Sequence, residues 1–410
     1  MLNIAILHYT CPPVVGGVEE IVRQQASLFN RYYHLVKIIA GDGKQFTNDY
    51  EIEINPLLSS RNNRILSLQE DAAKNLDGIR KVSNQIYKYF TNTLKDMDIL
   101  IAHNVFTMPY NLPLTMALHK IADDNIIKVV SWNHDSPYFY KNYDKKFDKE
   151  PWVILKHYNS NVFYVTISES RAEEFKKLYN IQYELTVIPN GIDPIRFFRL
   201  DRNTVRLIQE NNLFNADLIL VHPSRLHPRK NIESSIHVIK ALHEKGVKAK
   251  LLLTGAYDPH EKKNTNYVHK IKKLIETLKL NKYVIIVAEY RFKTGEKITA
   301  NRITMRDLYQ ISDVLFMPSK QEGFGIPLLE AGMIKLPIVC SDIPPFKTIG
   351  GKNVCYFKID EKPMEIAEKL LKFINTLKTH KMYRNVIHNH VWDNIYKNKL
   401  KPFLENIIQN

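Results

Sequence analysis

Short, almost continuously apolar runs alternate along the chain with longer stretches whose apolar residues return every three or four positions. The runs at residues 3–8, 35–40, 99–103, 128–132, 163–167 and 185–188 predict strands. Amphipathic stretches such as 19–30 and 66–95 predict helices between them. Strands apolar on both faces and separated by helices indicate a parallel sheet covered on both sides. The pattern restarts after residue 194. Strands are expected at 218–222, 249–254, 284–288, 314–317 and 338–340, and helices at 231–245, 266–278, 305–312 and 325–331. Two doubly wound α/β units follow, residues 1–193 and 194–375. Ligands in such sheets bind beyond the carboxyl ends of the strands, with a cleft between facing units as the default site. Pro189, Asn190 and Gly191 are turn formers directly after a strand and mark the hinge. Residues 376–410 complete a helical stretch with no further strand.

Composition changes this picture little. A chain of 410 residues is long enough for two cores. Its 44% hydrophobic and 25% charged residues suit a globular protein. Cys11, Cys340 and Cys355 are odd in number and match no zinc or disulfide spacing, which fits a reducing compartment. The first ten residues have neither a basic flank nor a cleavage site and read as a buried strand. No apolar run approaches the roughly 20 residues that span a bilayer. A cytoplasmic location is expected, with peripheral association at the cytoplasmic face of a membrane left open.

Charge is more informative. The net charge is +15. Residues 1–193 hold 21 basic against 22 acidic side chains, and residues 194–410 hold 37 against 21. The second half therefore suits an anionic partner: nucleic acid, an anionic membrane or a nucleotide diphosphate. A lysine-rich solvated surface accounts for the same excess. No basic stripe interleaved with aromatic residues, and no recognition motif, supports nucleic acid.

Four segments at strand ends carry candidate chemistry. In Glu322-Gly-Phe-Gly-Ile-Pro-Leu-Leu-Glu330, Gly323 and Gly325 permit close ligand approach, and Pro327 suits the first turn of a helix. The amides of that helix end favour phosphate, and the two carboxylates suit sugar hydroxyls. In Val221-His-Pro-Ser-Arg-Leu-His-Pro-Arg-Lys-Asn231, Arg225 and Lys230 lie where a strand meets a helix and can take a diphosphate. Gly16 and Gly17 form a loop after the first strand, without the dinucleotide fingerprint. His134 ends the fourth strand, where it suits a sugar hydroxyl, with Asp135 placed to orient its imidazole.

The first string resembles the E-x7-E motif of the family 4 retaining glycosyltransferases, which have the GT-B fold: two Rossmann-like domains facing across a cleft. The resemblance implies that Glu322 meets the transferred sugar and Glu330 the donor ribose. The backbone of Gly323, Phe324, Gly325 and Ile326 would approach the sugar and diphosphate. Arg225 and Lys230 keep the spacing of the family's R-x4-K pair. Gly16 and Gly17 resemble its G-G-x-E loop, which faces donor phosphate and acceptor, and His134 its H-D segment. Gly255 ends a strand at the nucleotide position, and Tyr290 lies where the base is read. Residues 376–410 would cross back to the first domain. The implied reaction moves a hexose from a UDP- or GDP-sugar to a hydroxyl of a saccharide, lipid-linked glycan or small polyol, with retention. No D-x-D motif sits at a strand end, so neither a metal nor another cofactor is required. Two rivals remain: a nucleotide-sugar epimerase of the same fold and a nucleic-acid-binding protein.

Overall fold

The computed structural model describes residues 1–255 and 265–409. Among them the chain divides into two compact units, Met1–Asp193 with His390–Asn410, and Pro194–Asn389.

The first unit is built on β1 (Asn3–Thr10), β2 (Leu35–Asp42), β3 (Glu51–Ile54), β4 (Ile99–His103), β5 (Lys128–Asn133), β6 (Val162–Thr166) and β7 (Thr186–Val187). All pairs are parallel, in the order β3-β2-β1-β4-β5-β6-β7. Strand order reverses between β1 and β4, and the crevice beyond their carboxyl ends is where such a sheet takes a ligand. His8, Thr10 and His103 lie there. In the second unit β8 (Leu218–His222), β9 (Ala249–Leu253), β10 (Val284–Ile286), β11 (Val314–Met317), β12 (Ile338–Ser341) and β13 (Cys355–Phe357) run parallel in the order β10-β9-β8-β11-β12-β13. The reversal falls between β8 and β11, so the loops after His222 and Met317 flank its crevice. Both sheets are doubly wound, as the strand–helix alternation predicts.

Several expectations need correction. The strand expected over 284–288 ends at Ile286, where residues Val287–Glu289 turn into a 3-10 coil. That over 185–188 shrinks to two residues at the sheet edge. The edge strands β3 and β13 were not predicted: Glu51-Ile-Glu-Ile is too short and polar to show a buried run. The stretch 66–95 is two helices, Asn63–Glu70 and Leu76–Thr93. Asp71 and Asn75 break it, through Asp71 Oδ1 accepting from Lys74 N at 3.4 Å and Asn75 Nδ2 donating to the Leu68 carbonyl at 3.2 Å.

The sequence expectation closed the second unit at residue 375. The helix Lys378–Asn389 belongs to it as well, because His380 Nε2 and Arg384 Nη1 reach the buried Asp313 carboxylate at 3.1 and 3.4 Å. The chain rejoins the first unit at His390, whose carbonyl accepts from Ile192 N at 2.7 Å. Trp392 is then buried against Gly191, where a Cβ would stand 2.6 Å from the indole. Arg31 ties the seam, meeting Asp193 and Asp393 at 2.7 Å each. Ile395, Leu400, Leu404 and Ile407 complete the same core as β1 and β4.

Candidate functional site

In the second unit, β8 leads through a 3-10 turn at Pro228–Lys230 into the helix Ile232–Glu244, and β11 leads through residues 318–325 into the helix Ile326–Met333. The two loops are fastened together. Lys320 N donates to the Arg229 carbonyl at 2.8 Å, while Ser341 Oγ, at the end of β12, anchors the second loop through the Ser319 carbonyl at 2.5 Å. Glu322 sits between them with 8% of its side chain exposed. Its Oε1 accepts from Lys230 Nζ and from Ser319 Oγ at 2.7 Å, and its Oε2 accepts from Arg229 Nη1 at 3.1 Å. Burial alone would raise this carboxyl. The Lys230 and Ser319 hydrogen bonds outweigh it and hold Glu322 below the ordinary carboxylate range. Such a group serves as a hydrogen-bond acceptor at neutral pH, not as an acid.

Gly325 has φ +114°, and a Cβ there would lie 3.1 Å from the Phe346 ring, so this corner requires glycine. It caps the helix Ile326–Met333, with Leu328 N bonded to its carbonyl at 2.9 Å. Gly323 has open space around it, and Phe324 and Ile326 are exposed. An exposed glycine loop, a helix start, an ionised acid and basic side chains thus meet here. Arg225 is exposed on the same loop as Lys230. Arg229 was not singled out from the sequence; its pairing with Glu322 shows only once the loops are folded. Glu330 accepts from Tyr309 Oη at 2.6 Å. Gly255, φ +65°, lies just beyond β9 with its N–H on the Ser224 carbonyl at 3.0 Å. Tyr290 follows β10, but its hydroxyl donates to Glu210 and accepts from Asn211 at 2.9 Å each. Its ring alone is left to meet a base.

In the first unit, a cavity of about 430 Å³ opens beyond β1 and β4, lined among others by His8, Gly17, Glu19, Asn104, Tyr110 and His134. Gly16 has ordinary extended backbone. A Cβ there would stand 2.0 Å from the Glu19 carboxylate, which would have to shift. His134 is buried, and its N–H donates to Asn104 Oδ1 at 2.7 Å. Its imidazole meets His103 Nδ1 at 3.0 Å through Nε2 and Asn190 Nδ2 at 3.4 Å through Nδ1. Asp135 does not orient it: that carboxylate is taken by Arg171 at 3.1 Å and Tyr140 Oη at 2.6 Å. Burial, reinforced by His8, pushes His134 down to about 3, so it is a neutral hydrogen-bonding group. His8 Nδ1 donates to the His103 carbonyl at 2.9 Å; the carbonyl can only accept, which leaves Nε2 unprotonated in the neutral ring.

The family pattern described as Glycosyltransferase Family 4 matches residues 15–196, and that described as Glycosyl transferases group 1 matches residues 204–389. The chain belongs to the family 4 glycosyltransferases. Mannosylglucosylglycerate synthase of Petrotoga mobilis is 25% identical over 84% of this chain and 84% of its own length. The synthase of the same name from Thermotoga maritima is 23% identical, covering 85% and 82%. The O-antigen chain mannosyltransferase RfbU of Salmonella typhimurium is 25% identical over 48% of this chain and 47% of its own. The glycosyltransferase is thus an enzyme of glycan biosynthesis. Its E-x7-E string and R-x4-K pair fall within the second match. Among the described residues no helix is long and apolar enough to cross a membrane.

Proposed function

We propose that this glycosyltransferase moves mannose from a nucleoside diphosphate mannose to an acceptor hydroxyl with retention of configuration. The observation that carries the reading is the Glu322 carboxylate held between Lys230, Arg229 and Ser319 at the switch point of the second sheet. The cations suit a diphosphate, and the adjacent carboxylate suits hydroxyls of the attached sugar. Mannose is chosen because the relatives are named for mannosyl products or transfer. In the step, the acceptor oxygen bonds to the anomeric carbon as the bond from that carbon to the phosphate oxygen breaks. The electron pair stays on the diphosphate, which also takes the acceptor's proton. Lys230, Arg229 and Arg225 offset the charge gained, so the reaction asks for no metal. Glu330, steadied by Tyr309, takes the ribose hydroxyls, and the aromatic ring of Tyr290 flanks the base.

Thermal-shift measurements with GDP, UDP and ADP, then transfer assays with GDP-mannose and UDP-glucose, test the reading. Stabilisation by one diphosphate and mannosyl transfer are expected. Conversion of the sugar without any acceptor would instead favour the epimerase. Glu322→Ala should bring transfer close to background; activity near wild type would displace the site. Tyr309→Phe removes one hydrogen bond worth about 1 kcal/mol. The donor KM should rise roughly fivefold with kcat unchanged, and an unchanged KM would separate Glu330 from the ribose.

A further inference from the structure

The second unit carries a cavity of about 300 Å³ that the transfer step does not use. It lies at the amino-terminal ends of β11 and β12, where Asp313 and Pro337 precede the strands, at the opposite edge of the sheet from the donor loops. Such a volume is at the small end of ligand pockets and suits one ring or two fused rings. Much of its wall is apolar: Phe198, Tyr309 and Tyr383, with Ile334, Leu336 and Pro337. Aromatic walls pack best against a flat ring.

Three polar side chains decide the rest of the chemistry. Asp313 is fully buried and spent, since its carboxylate takes Ile219 N at 2.6 Å, His380 Nε2 at 3.1 Å and Arg384 Nη1 at 3.4 Å. It offers a ligand no uncompensated negative charge. Lys335 also lines the cavity and has no acidic partner among the described residues. Its ammonium favours an anion. Gln310, a third lining residue, has its Oε1 shut from solvent with no hydrogen-bond partner among the described residues. A buried acceptor left unpaired is costly, so a ligand N–H or O–H that reaches it is favoured. The pocket thus matches an apolar ring with one negative charge and one hydrogen-bond donor.

One wall reaches the donor side. Tyr309 is 5% exposed and lines the cavity, and its hydroxyl donates to Glu330 Oε2 at 2.6 Å. Whatever packs against that ring fixes where the hydroxyl stands, and so how the Glu330 carboxylate is presented. We propose that this cavity is an effector site for a small aromatic carboxylate carrying a hydrogen-bond donor, and that its occupation strengthens donor binding through Tyr309 and Glu330. The site stands on its own residues; the coupling rests on the reading above that Glu330 takes the donor ribose.

Calorimetry on the full chain tests the site with indole-3-carboxylate, with indole-3-carboxamide, which lacks the charge, and with 1-naphthoate, which lacks the donor. The first should bind with a Kd on the order of 0.1 mM, in keeping with a ligand of about a dozen heavy atoms. Each of the others should bind at least fivefold more weakly. No binding of indole-3-carboxylate at millimolar concentration, or equal binding of either analogue, overturns the assignment. Lys335→Gln should weaken the carboxylate at least fivefold and leave the carboxamide unchanged. Thr379 is exposed and lines the cavity, so Thr379→Trp should fill it and abolish binding of all three. Undiminished binding in either variant places the ligand elsewhere and overturns the site.

Saturating indole-3-carboxylate should lower the Kd of the preferred nucleoside diphosphate at least threefold, and the diphosphate should tighten the carboxylate by the same factor. Tyr309→Phe keeps the wall and removes the link, so carboxylate binding should stay within twofold of wild type while the coupling disappears. Wild-type protein without coupling, or coupling that survives Tyr309→Phe, overturns the effector role. If the protein binds no nucleoside diphosphate, the glycosyltransfer reading falls, and the three-ligand comparison still decides the site.

Discussion

Replacing Lys230 by alanine should lower kcat/KM for sugar transfer by roughly 10²–10³-fold. Two losses combine. The buried Glu322 carboxylate loses the cation on its Oε1 and keeps only Ser319 there, with Arg229 on Oε2. Stripping one partner from a buried ion pair costs about 3–5 kcal/mol, of which Arg229 and Ser319 recover part. The departing diphosphate also loses a fixed positive charge, an effect on the order of 3 kcal/mol where a preorganised group faces developing negative charge. The sign at Glu322 follows. Its carboxyl is held low chiefly through Lys230 against burial, so in the variant it moves up. The acid limb of the pH dependence of kcat/KM should therefore move to higher pH than in the wild type. Lys230→Ala with wild-type kcat/KM, or with an unchanged acid limb, would contradict the assignment.

Acidification should unfold the first unit before the second. His8, His34, His103, His119 and His134 of the first unit are all pushed down by burial, His119 to about 4 and His134 to about 3. In the second unit His222 is pushed down to about 3 by burial and the nearby Lys230 charge, and His388 is lowered by burial and the Arg384 charge. A histidine with a depressed folded pKa binds its proton more readily in the unfolded chain. Stability is therefore complete above the unfolded value near 6.5 and is lost as pH falls toward the folded value. Each unit of pH in that window costs about 1.4 kcal/mol per such histidine. Five of them in one unit against two in the other predict unequal losses. Depressed carboxylates such as Glu322 add to the loss only below their ordinary range, so the interval from pH 6.5 to 4.5 belongs to the histidines. All three tryptophans, Trp132, Trp152 and Trp392, lie in the first unit, so their fluorescence reports on it alone. The urea midpoint read by fluorescence should fall steeply between pH 7 and pH 5. A midpoint constant over that interval would refute the expectation.

The two doubly wound sheets were legible because each central strand is apolar on both faces and bounded by turn residues. The edge strands were not, since half their surface is wet and their pattern resembles loop. The donor-side residues were legible as a string, because glycine, proline and acid at fixed spacing reflect backbone demands that a single loop must meet. Arg229 was not, because its meaning depends on a second loop 93 positions away. The His134–Asp135 pairing failed for the opposite reason. Adjacent residues at a strand end point to different faces, so His134 turned to His103 and Asn190 while Asp135 turned to Arg171.

The seam at Trp392 also sets an order of assembly. The first unit is written in two pieces, with the whole second unit between them. A ribosome therefore delivers every residue of the second unit before it delivers the helices that close the first core. Until then the pocket under Gly191 stands empty, and a large apolar surface beside β1 waits uncovered. A nascent or truncated chain ending before His390 thus presents a finished second unit beside an open first one. That makes it a natural client for chaperones and a poor candidate for independent expression.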